Sequence, residues 1–335
     1  MPQRLDAKDQ RILSALSENA RQSLSSIGRK VGLSEEVVNY RLRGLIKNQI
    51  IVQFRTEIDV ARLGYKWYRL YLRLEGADSE KEQEIFNYLV NSSGAYWTAI
   101  CEGKYNLIFR FVAKDEIGLN EVLNDLSIRF SPYIKWRDLT LPIEAHYYAS
   151  ESGAYGRGGP KYEPPSRKAP VEVDEKDLKL LGGLAEESRA ATTKLAGELG
   201  LTPNAVKYRM KRLENEGVIK GYQVVSDRSK LGMYHYKILL HFQKTDEVKV
   251  KKFVRHCESL PNLLFLTRSI GAWDMDVDFD FGNTIDAHNS ILNLTGKFRD
   301  LIKGYEVLPL FKARYCNPMR GLAEIEKKKL KGAMR

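Results

Sequence analysis

Cysteine is scarce in this chain of 335 residues, where it occurs only at Cys101, Cys257 and Cys316. The three stand far apart and no pair has the spacing of zinc ligands, so neither a zinc site nor a disulfide framework is predicted, and a reducing cytoplasm is expected. No apolar run of 18 residues occurs, which argues against a membrane span. The N-terminus also lacks the apolar centre that a signal peptide needs.

The formal net charge is +11, and this charge is distributed unevenly along the chain. Residues 312–335 have a net charge of +6, residues 5–55 have +4 and residues 56–148 have −3. An excess of positive charge predicts an anionic partner, and its location matters more than its total. For the basic end of the chain, two interpretations stay open: a solvated end, or sequence-independent contact of residues 320–335 with phosphate.

The second half of the chain repeats the first at an offset of 168 residues. Asp6 and Asp9 correspond to Asp174 and Asp177, and Tyr40-Arg41 corresponds to Tyr208-Arg209. Gly103 corresponds to Gly271 at the same offset. A repeat of this length indicates a duplicated pair of domains and not a solenoid unit.

The repeat and the composition predict six segments. Copy one comprises a winged helix-turn-helix over residues 1–55 and a βαββαβ domain over 56–148. A linker rich in Gly, Pro and Ser follows at 149–172. Copy two repeats the pair as a winged helix-turn-helix at 173–223 and a βαββαβ domain at 224–315, and a basic tail follows at 316–335.

The first part of each copy shows helix signals. In copy two, Asp174 is a predicted N-cap, Thr192 or Thr193 is predicted to cap a second helix, and Gly200 is expected to end it. Thr202 is predicted to cap a third helix that has Pro203 at its first position. A strand hairpin after this helix would complete a winged helix-turn-helix.

The second part of each copy alternates strand and helix patterns in the order βαββαβ, which predicts a ferredoxin-like sandwich with its helices on one face. The fold class is therefore α+β, with two copies of a winged helix-turn-helix followed by a ferredoxin-like domain.

The segments LSEEVVNYRLRGLIKNQII and LTPNAVKYRMKRLENEGVI, together with LDAKDQRIL and VDEKDLKLL, resemble the leucine-responsive regulator (Lrp/AsnC) family of transcription factors. The resemblance covers nearly the whole chain, although ordinary members carry one copy. It implies a regulator that binds double-stranded DNA in the cytoplasm, associated with the nucleoid. It further implies pairing through the βαββαβ sheets and a small effector such as an amino acid. No cofactor is predicted.

The third helix of each copy is the predicted DNA reader, because its basic residues cannot all face the core. The predicted contacts are Ser34, Asn39, Tyr40, Arg41, Arg43, Thr202, Asn204, Lys207, Tyr208, Arg209, Lys211 and Arg212. Copy one is the weaker predicted reader, because Glu35 and Glu36 stand where copy two has Pro203 and Asn204 and would repel phosphate.

A turn in each βαββαβ domain resembles the effector turn of the same family. The resemblance gives Gly271, Trp273, Asp274, Gly103 and Tyr105 as weaker effector-binding candidates. Copy one departs from the pattern, because Asn106 replaces the acid of the turn.

Strand residues 274–281 alternate acidic and apolar side chains, which places Asp274, Asp276, Asp278 and Asp280 on one face. A metal site, a solvated or internally paired face, and pairing with the Arg-bearing face of copy one (Arg69, Arg73 and Arg110) all stay open. The last alternative predicts that the two βαββαβ domains pair within one chain, as a pseudo-dimer.

No Ser-His-Asp motif, phosphate loop or Cys-His pairing is found, so an enzyme is not predicted. One enzyme alternative remains, since sirohaem decarboxylases share the winged and βαββαβ layout. A second alternative is a chromosome-coating protein of low specificity, which differs from a regulator in its ratio of specific to non-specific affinity.

Overall fold

A computed structural model describes residues 5–148, 169–243, 246–320 and Leu322. Copy one contains the elements α1 (Ala7–Glu18), α2 (Leu24–Val31), α3 (Glu35–Lys47), β1 (Ile51–Ile58), β2 (Lys66–Leu74), α4 (Ser79–Asn91), β3 (Ala95–Cys101), β4 (Leu107–Ala113), α5 (Glu116–Phe130) and β5 (Ile134–Tyr147). Copy two contains α6 (Glu175–Glu186), α7 (Thr192–Leu199), α8 (Pro203–Asn215), β6 (Ile219–Ser226), β7 (Tyr234–Phe242), α9 (Glu247–Glu258), β8 (Leu263–Gly271), β9 (Met275–Phe281), α10 (Thr284–Lys297) and β10 (Ile302–Tyr315).

Capping residues define the ends of the helices in copy two largely as predicted. Asp174 forms a capping box with Asp177, and Thr202 Oγ1 accepts a hydrogen bond from the backbone N–H of Ala205 at 3.2 Å. Gly200 ends α7 with a left-handed φ of 60°. The predicted cap of α7 is wrong, because Ala191 holds the N-cap position and both threonines lie within the first turn.

The predicted wing hairpin is also wrong within each copy. Among the strands that the structure describes, the one after the third helix has no hairpin partner in its own copy. Instead, β1 pairs antiparallel with β6 of the other copy, in a two-stranded sheet. Phe54 lies opposite Val224 in this pairing. A lone strand needs a partner for its N–H and C=O groups, and the equivalent strand of the other copy provides one.

Two reciprocal backbone contacts continue this joint between the helix-turn-helix halves. The N–H of Ala20 donates to the carbonyl of Tyr222 at 2.8 Å, and the N–H of Ser188 donates to the carbonyl of Phe54 at 2.8 Å. These bonds are equivalent under the 168-residue offset, so the two halves are related by a pseudo-two-fold axis. Arg189 Nη1 also donates to the carbonyl oxygens of Ala20 and Gln22.

The predicted βαββαβ order is confirmed in both copies, and the two sheets join into one closed barrel. The strand order around the barrel is β10-β3-β4-β2-β5-β8-β9-β7, and β10 also pairs with β7. Strand β5 pairs with β8, and β10 pairs with β3, so two seams between the copies close the barrel. The prediction of an internal pseudo-dimer is thereby confirmed.

Side chains alternate between the two faces of each barrel strand, and this alternation separates three hydrophobic cores. Leu70, Phe109 and Phe111 pack on the outer face of copy one's sheet under α4 and α5. The corresponding outer core of copy two includes Val277, Phe279 and other buried side chains under α9 and α10. The inner faces meet in the barrel, where an aromatic cluster from both copies contains Tyr71, Tyr96, Trp97, Tyr105 and Trp273.

Two of the predicted segment boundaries fall inside strands, and the predicted basic tail begins packed against the core. The boundaries at 55/56 and 223/224 fall inside β1 and β6, because the inter-copy pairing extends both strands. The segment 316–335 does not begin as a solvated tail, because Met319 and Leu322 are buried in the helix-turn-helix core. Asn317 Nδ2 also donates to the carbonyl of Gly182 at 3.0 Å.

Two predicted features lie largely outside the described residues. These are residues 149–168 of the linker and, apart from Arg320 and Leu322, the predicted phosphate-contacting tail, so both stay predictions. Within the described residues, no helix has both the length and the apolar character needed to cross a membrane.

Candidate nucleic-acid interface

Helices α3 and α8 lie on the surface, each held by one apolar stripe. Val206, Met210 and Leu213 of α8 are buried, and Val38, Leu42 and Leu45 of α3 occupy the corresponding positions. A stripe at this spacing buries one face of a helix and leaves the opposite face exposed to solvent. The two reading helices therefore present one open face each.

Most of the predicted DNA contacts lie on these open faces. Tyr40 and Tyr208 are 80% and 72% exposed, which is unusual for an aromatic side chain held on a rigid helix. Asn39 is half-buried. The other exposed members of the predicted set are Ser34, Arg43, Thr202, Asn204, Lys207 and Lys211.

Three arginines of the predicted set have intramolecular partners instead of an open face. Arg209 Nη1 donates to Asp174 at 2.8 Å and to Asp177 at 2.7 Å, and Arg212 also pairs with Asp177. Hydrogen bonds to Asp177 and Asp174 raise the pKa of Arg209 above its usual range. These bonds tie α8 to the first turn of α6, and the contact of both arginines with DNA stays a prediction.

Copy one repeats this arrangement with Arg41. Its Nη1 donates to Asp6 at 2.7 Å and to Asp9 at 2.9 Å, which ties α3 to the start of α1. The ion pairs of the two copies are equivalent under the offset. The sequence analysis did not predict that Asp6 and Asp9 hold the reading helix. Both acids recur in copy two as Asp174 and Asp177, at the same distances of 35 and 32 residues before the arginine, and this recurrence could have indicated the ion pairs.

The helix N-termini of the two readers differ in charge. Glu35 and Glu36 are exposed in the first turn of α3, and the corresponding turn of α8 has no acid. A backbone N–H and Ser34 lower the pKa of Glu36 by hydrogen bonding, so the carboxylate stays ionised at this end. The acids stabilise α3 through its dipole but oppose an approaching phosphate.

The predicted effector turns are built into the barrel. Trp273 is buried, with its ring centroid 4.3 Å from that of Tyr71 in an edge-to-face arrangement, and Tyr105 packs on the same cluster. The hydroxyl of Tyr105 donates to Asp138 at 2.5 Å. Asp274 remains exposed and accepts from the N–H of Phe242 at 2.7 Å.

The two turn glycines are needed where the copies meet. Gly271 has a φ of 138°, and a Cβ there would lie 2.5 Å from the carbonyl oxygen of Leu139 in copy one. Gly103 has a φ of 114°, and its Cβ would lie 3.0 Å from the carbonyl oxygen of Val307 in copy two. Both positions therefore serve close backbone approach between the copies.

The acidic face of β9 meets the basic face of copy one inside the barrel, as the pseudo-dimer prediction requires. Arg69 Nη1 donates to both carboxylate oxygens of Asp276, at 2.5 and 2.6 Å, and both side chains are buried. Lys237 Nζ donates to Asp276 at 2.8 Å and to Asp278 at 2.6 Å. His235 Nε2 lies 2.7 Å from Asp278, so the carboxylates already have protein partners in place of a metal ion.

A pocket lies at one end of the barrel, beneath the β1–β6 sheet. Its lining includes Arg69 and Arg110 from the inner face of copy one, Trp67 and Tyr96, and Lys220 from β6. The sequence interpretation placed Arg69 and Arg110 on the open face but missed this pocket. Its roof is the inter-copy strand pair, which no local pattern indicates.

Family models match the two helix-turn-helix segments. Residues 5–46 match the AsnC-type helix-turn-helix domain, and residues 173–220 match a winged helix-turn-helix DNA-binding domain. The matches cover α1 to α3 and α6 to α8, so two separate segments of one chain carry the motif.

Relatives of this chain include short regulators. An uncharacterised HTH-type transcriptional regulator of Pyrococcus furiosus is 31% identical over 121 residues, which are 36% of this chain and 77% of the relative. The HTH-type transcriptional regulator LrpC of Bacillus subtilis is 30% identical over 102 residues, which are 30% of this chain and 69% of that protein. Each aligned stretch is close to one copy in length.

A solved structure with the same overall fold is that of the siroheme decarboxylase NirDL. It covers 98% of this chain and 99% of its own, with a TM-score of 0.65 and 12% sequence identity. At this identity, the likeness shows that a fold spanning both copies is shared, and it shows nothing about chemistry.

Proposed function

The chain belongs to the Lrp/AsnC family of helix-turn-helix transcriptional regulators, and we propose that it binds specific DNA sequences through α3 and α8. The observation that carries the proposal is the pair of exposed reading helices, each at the position that the family motif uses. One chain supplies both readers, so the pseudo-dimer takes the place of a dimer of single-copy subunits.

The β1–β6 sheet supports this proposal, because it joins the two readers directly. Its inter-copy pairing and the reciprocal bonds of Ala20 and Ser188 fix one helix-turn-helix relative to the other. Two readers held in one arrangement select half-sites at one spacing. Assembly of several pseudo-dimers into a homo-oligomer is compatible with this unit, and light scattering tests it.

Within the readers, we assign the base contacts to exposed side chains only. Asn204 stands near the N-terminal end of α8, where a helix in the major groove meets base edges, and an Asn pairs well with adenine. Lys207 and Tyr208 follow on the same open face, and Lys211 serves phosphate. Arg209 and Arg212 hold the helix in place and act through its position.

Copy one has a reduced share in reading. Tyr40 and Arg43 remain exposed on α3, whereas Ser34 caps the helix and donates its hydroxyl proton to Glu36. The carboxylates of Glu35 and Glu36 oppose contact with the DNA backbone at the N-terminal end of α3. We therefore propose that copy two selects the sequence and copy one adds a half-site of altered preference.

Selection of binding sequences from a random DNA pool tests the proposal. The full chain should enrich one imperfect palindrome, and its affinity for that site should exceed its affinity for random DNA by about 10³-fold or more. Genome-wide mapping in cells should then place the protein at discrete sites on the nucleoid. Enrichment of no sequence, with uniform coverage of the chromosome, would support the coating alternative instead.

We further propose that the chain is not an enzyme. The readers keep the open faces that DNA binding uses, whereas the likeness to NirDL concerns the fold alone. NirDL has also been solved in complex with an iron-uroporphyrin III analogue. A spectral titration of this chain with iron-uroporphyrin III therefore tests the assignment, since ring binding shifts the absorption of the macrocycle. Saturable one-to-one binding followed by loss of carboxyl groups would contradict it.

A further inference from the structure

Among the described residues, one cation that lines the pocket beneath the β1–β6 sheet has no counter-ion. Arg110 on β4 lies directly opposite Arg69 on β2, and both side chains line the pocket. Like charges directly opposite each other across strands destabilise a sheet unless each is neutralised. Arg69 is neutralised by Asp276, but among the described residues Arg110 has neither a hydrogen bond nor an ion pair.

The contacts that Arg110 does make are with aromatic rings. Its guanidinium lies 4.9 Å from the ring centroid of Tyr96 and 5.8 Å from that of Trp67. Cation–π contacts of this kind orient a guanidinium but do not satisfy its N–H donors. Burial and the nearby charge of Arg69 lower the pKa of Arg110 below its usual range, and they outweigh the opposing charge of Glu57.

The other charges around the pocket occur in pairs. Arg55 donates to Glu57, and Lys220 lies 3.7 Å from the carboxylate of Asp59. Because Arg110 is left over among the described residues of the lining, the pocket carries one excess positive charge. That balance matches a monoanion, and the carboxylates of Glu57 and Asp59 would repel a dianion.

The same position in copy two is closed by the protein itself. Asp278 is the counterpart of Arg110 under the 168-residue offset, and Lys237 is the counterpart of Arg69. Lys237 and Asp278 form a direct ion pair at 2.6 Å. Copy one thus has an open cationic site where copy two has an internal salt bridge.

The walls of the pocket indicate the rest of the ligand. Trp67, Tyr96, Phe265 and Tyr315 line it together with the arginines. Pockets of this composition bind a flat apolar body and use a few polar groups to orient it. A guanidinium fork matches a carboxylate with two parallel hydrogen bonds.

We infer that this pocket binds an aromatic monocarboxylate, with its carboxylate on Arg110 and its ring among Trp67, Tyr96 and Phe265. The ligand bridges the inner face of copy one and the strand pair that joins the two helix-turn-helix halves. The site is separate from the turns around Trp273, whose side chains pack inside the barrel. Binding at this site does not depend on the proposed DNA recognition.

Isothermal titration of the full chain with indole-3-acetate and with its neutral amide tests the inference. The acid should bind, and the amide should bind about tenfold more weakly or worse, because it cannot form a charged pair. Arg110→Met should weaken binding of the acid by about tenfold or more. Arg73→Met is the matched control, since Arg73 lies on the same face of β2 outside the pocket, and it should bind as the parent does.

Thermal unfolding without ligand provides the second readout. Arg110→Met should unfold no earlier than the parent, because it removes a half-buried charge that lacks a partner among the described residues. Arg69→Met should unfold earlier, since it leaves Asp276 with one cation fewer. Equal binding of acid and amide, no binding of indole-3-acetate, benzoate or phenylpyruvate at millimolar concentration, or early unfolding of Arg110→Met would each overturn the inference.

Discussion

Copy one and copy two differ most on the inner faces of their sheets. Copy one contributes Arg69 and Arg110 to the barrel, and copy two contributes Lys237 and Asp278 at the same positions. In a symmetric dimer every contact occurs twice, so the bond of Arg69 to Asp276 would be repeated across the axis. Here its counterpart would join Lys237 to Ile108, which carries no charge. Duplication in one chain has therefore allowed a one-way ion pair that a homodimer would have to form twice.

The reading helices differ in a parallel way. Glu36 in copy one corresponds to Asn204 in copy two, and Gly44 corresponds to Arg212. The ion pairs that hold the helices are kept in both copies, as Arg41 with Asp6 and Arg209 with Asp174 show. The ion pairs needed for folding are thus kept in both copies, whereas the residues that face DNA differ between them. The following variants test this distinction.

The largest expected effect is on the barrel cluster. Lys237→Met should lower the free energy of unfolding by about 3–5 kcal/mol, because it leaves Asp276 and Asp278 with fewer cations in a buried site. Lys66→Met, at the exposed start of β2, should cost only a small fraction of that. Urea unfolding of both variants measures the difference, and similar losses would show that the buried cluster is not what joins the copies.

Acid should weaken the same cluster. Burial alone would raise the pKa of Asp278, but Lys237 and His235 outweigh it and hold the pKa below its usual range. The carboxylate therefore stabilises the fold above the unfolded-state pKa of about 3.9, and this stability is lost as the pH falls below it. The urea concentration at the midpoint of unfolding should therefore fall as the pH is lowered from neutral to about 2–3. A decline equally steep in Lys237→Met would contradict the assignment.

A smaller effect is expected at the tie between the first and third helices. Arg209→Ala should destabilise the protein by about 1 kcal/mol, because buried Asp177 keeps Arg212 as a partner. Arg41→Ala should cost less, since its partner Asp9 is partly exposed whereas Asp177 is fully buried. In filter-binding assays, neither variant should change the ratio of specific to random DNA affinity. A large fall in that ratio for Arg209→Ala would restore this arginine as a base contact.

Discrimination between DNA sequences should depend on copy two. Replacing Asn204 and Lys207 with Ala should reduce the preference for the selected site by about 1–3 kcal/mol for each bidentate pairing with a base that the substitution removes. The equivalent change at Glu36 and Asn39 should have a smaller effect. A perfect palindrome from selection, with equal losses of preference in both variants, would show that the two copies read alike.

The smallest effect is on salt dependence. Lys211→Met should reduce the slope of log affinity against log salt by about 0.9, the value for one phosphate contact, and leave the ranking of DNA sequences unchanged. Arg43→Met is its counterpart in copy one. If α3 stands farther from the backbone because of Glu35 and Glu36, the slope should change less for Arg43→Met, and an equal change would remove this distinction.

The local patterns of the sequence predicted much of this molecule. The 168-residue repeat indicated the two copies, and capping residues such as Asp174 and Thr202 indicated helix starts. Period-two alternation in β9 placed Asp276 and Asp278 opposite Val277 and the rest of the outer core. These features were predictable because they depend on residues within one turn or one strand.

The order of residues within a helix or strand sets which side chains lie on each of its faces, whereas the packing of whole domains sets which faces meet. The pattern of its helix predicts Arg209 as a free cation, and only the crossing of α6 and α8 gives it Asp177 as a partner. Likewise, the sequence predicts β1 as one strand of a hairpin, and only the pairing of the two copies gives it β6 as its strand partner. Within the described part of the chain, Arg110 is left without an anion for the same reason, since its counter-charge depends on what the opposite wall of the barrel contains. Contacts over such sequence separations depend on loop closure and packing of whole domains, which no local period records.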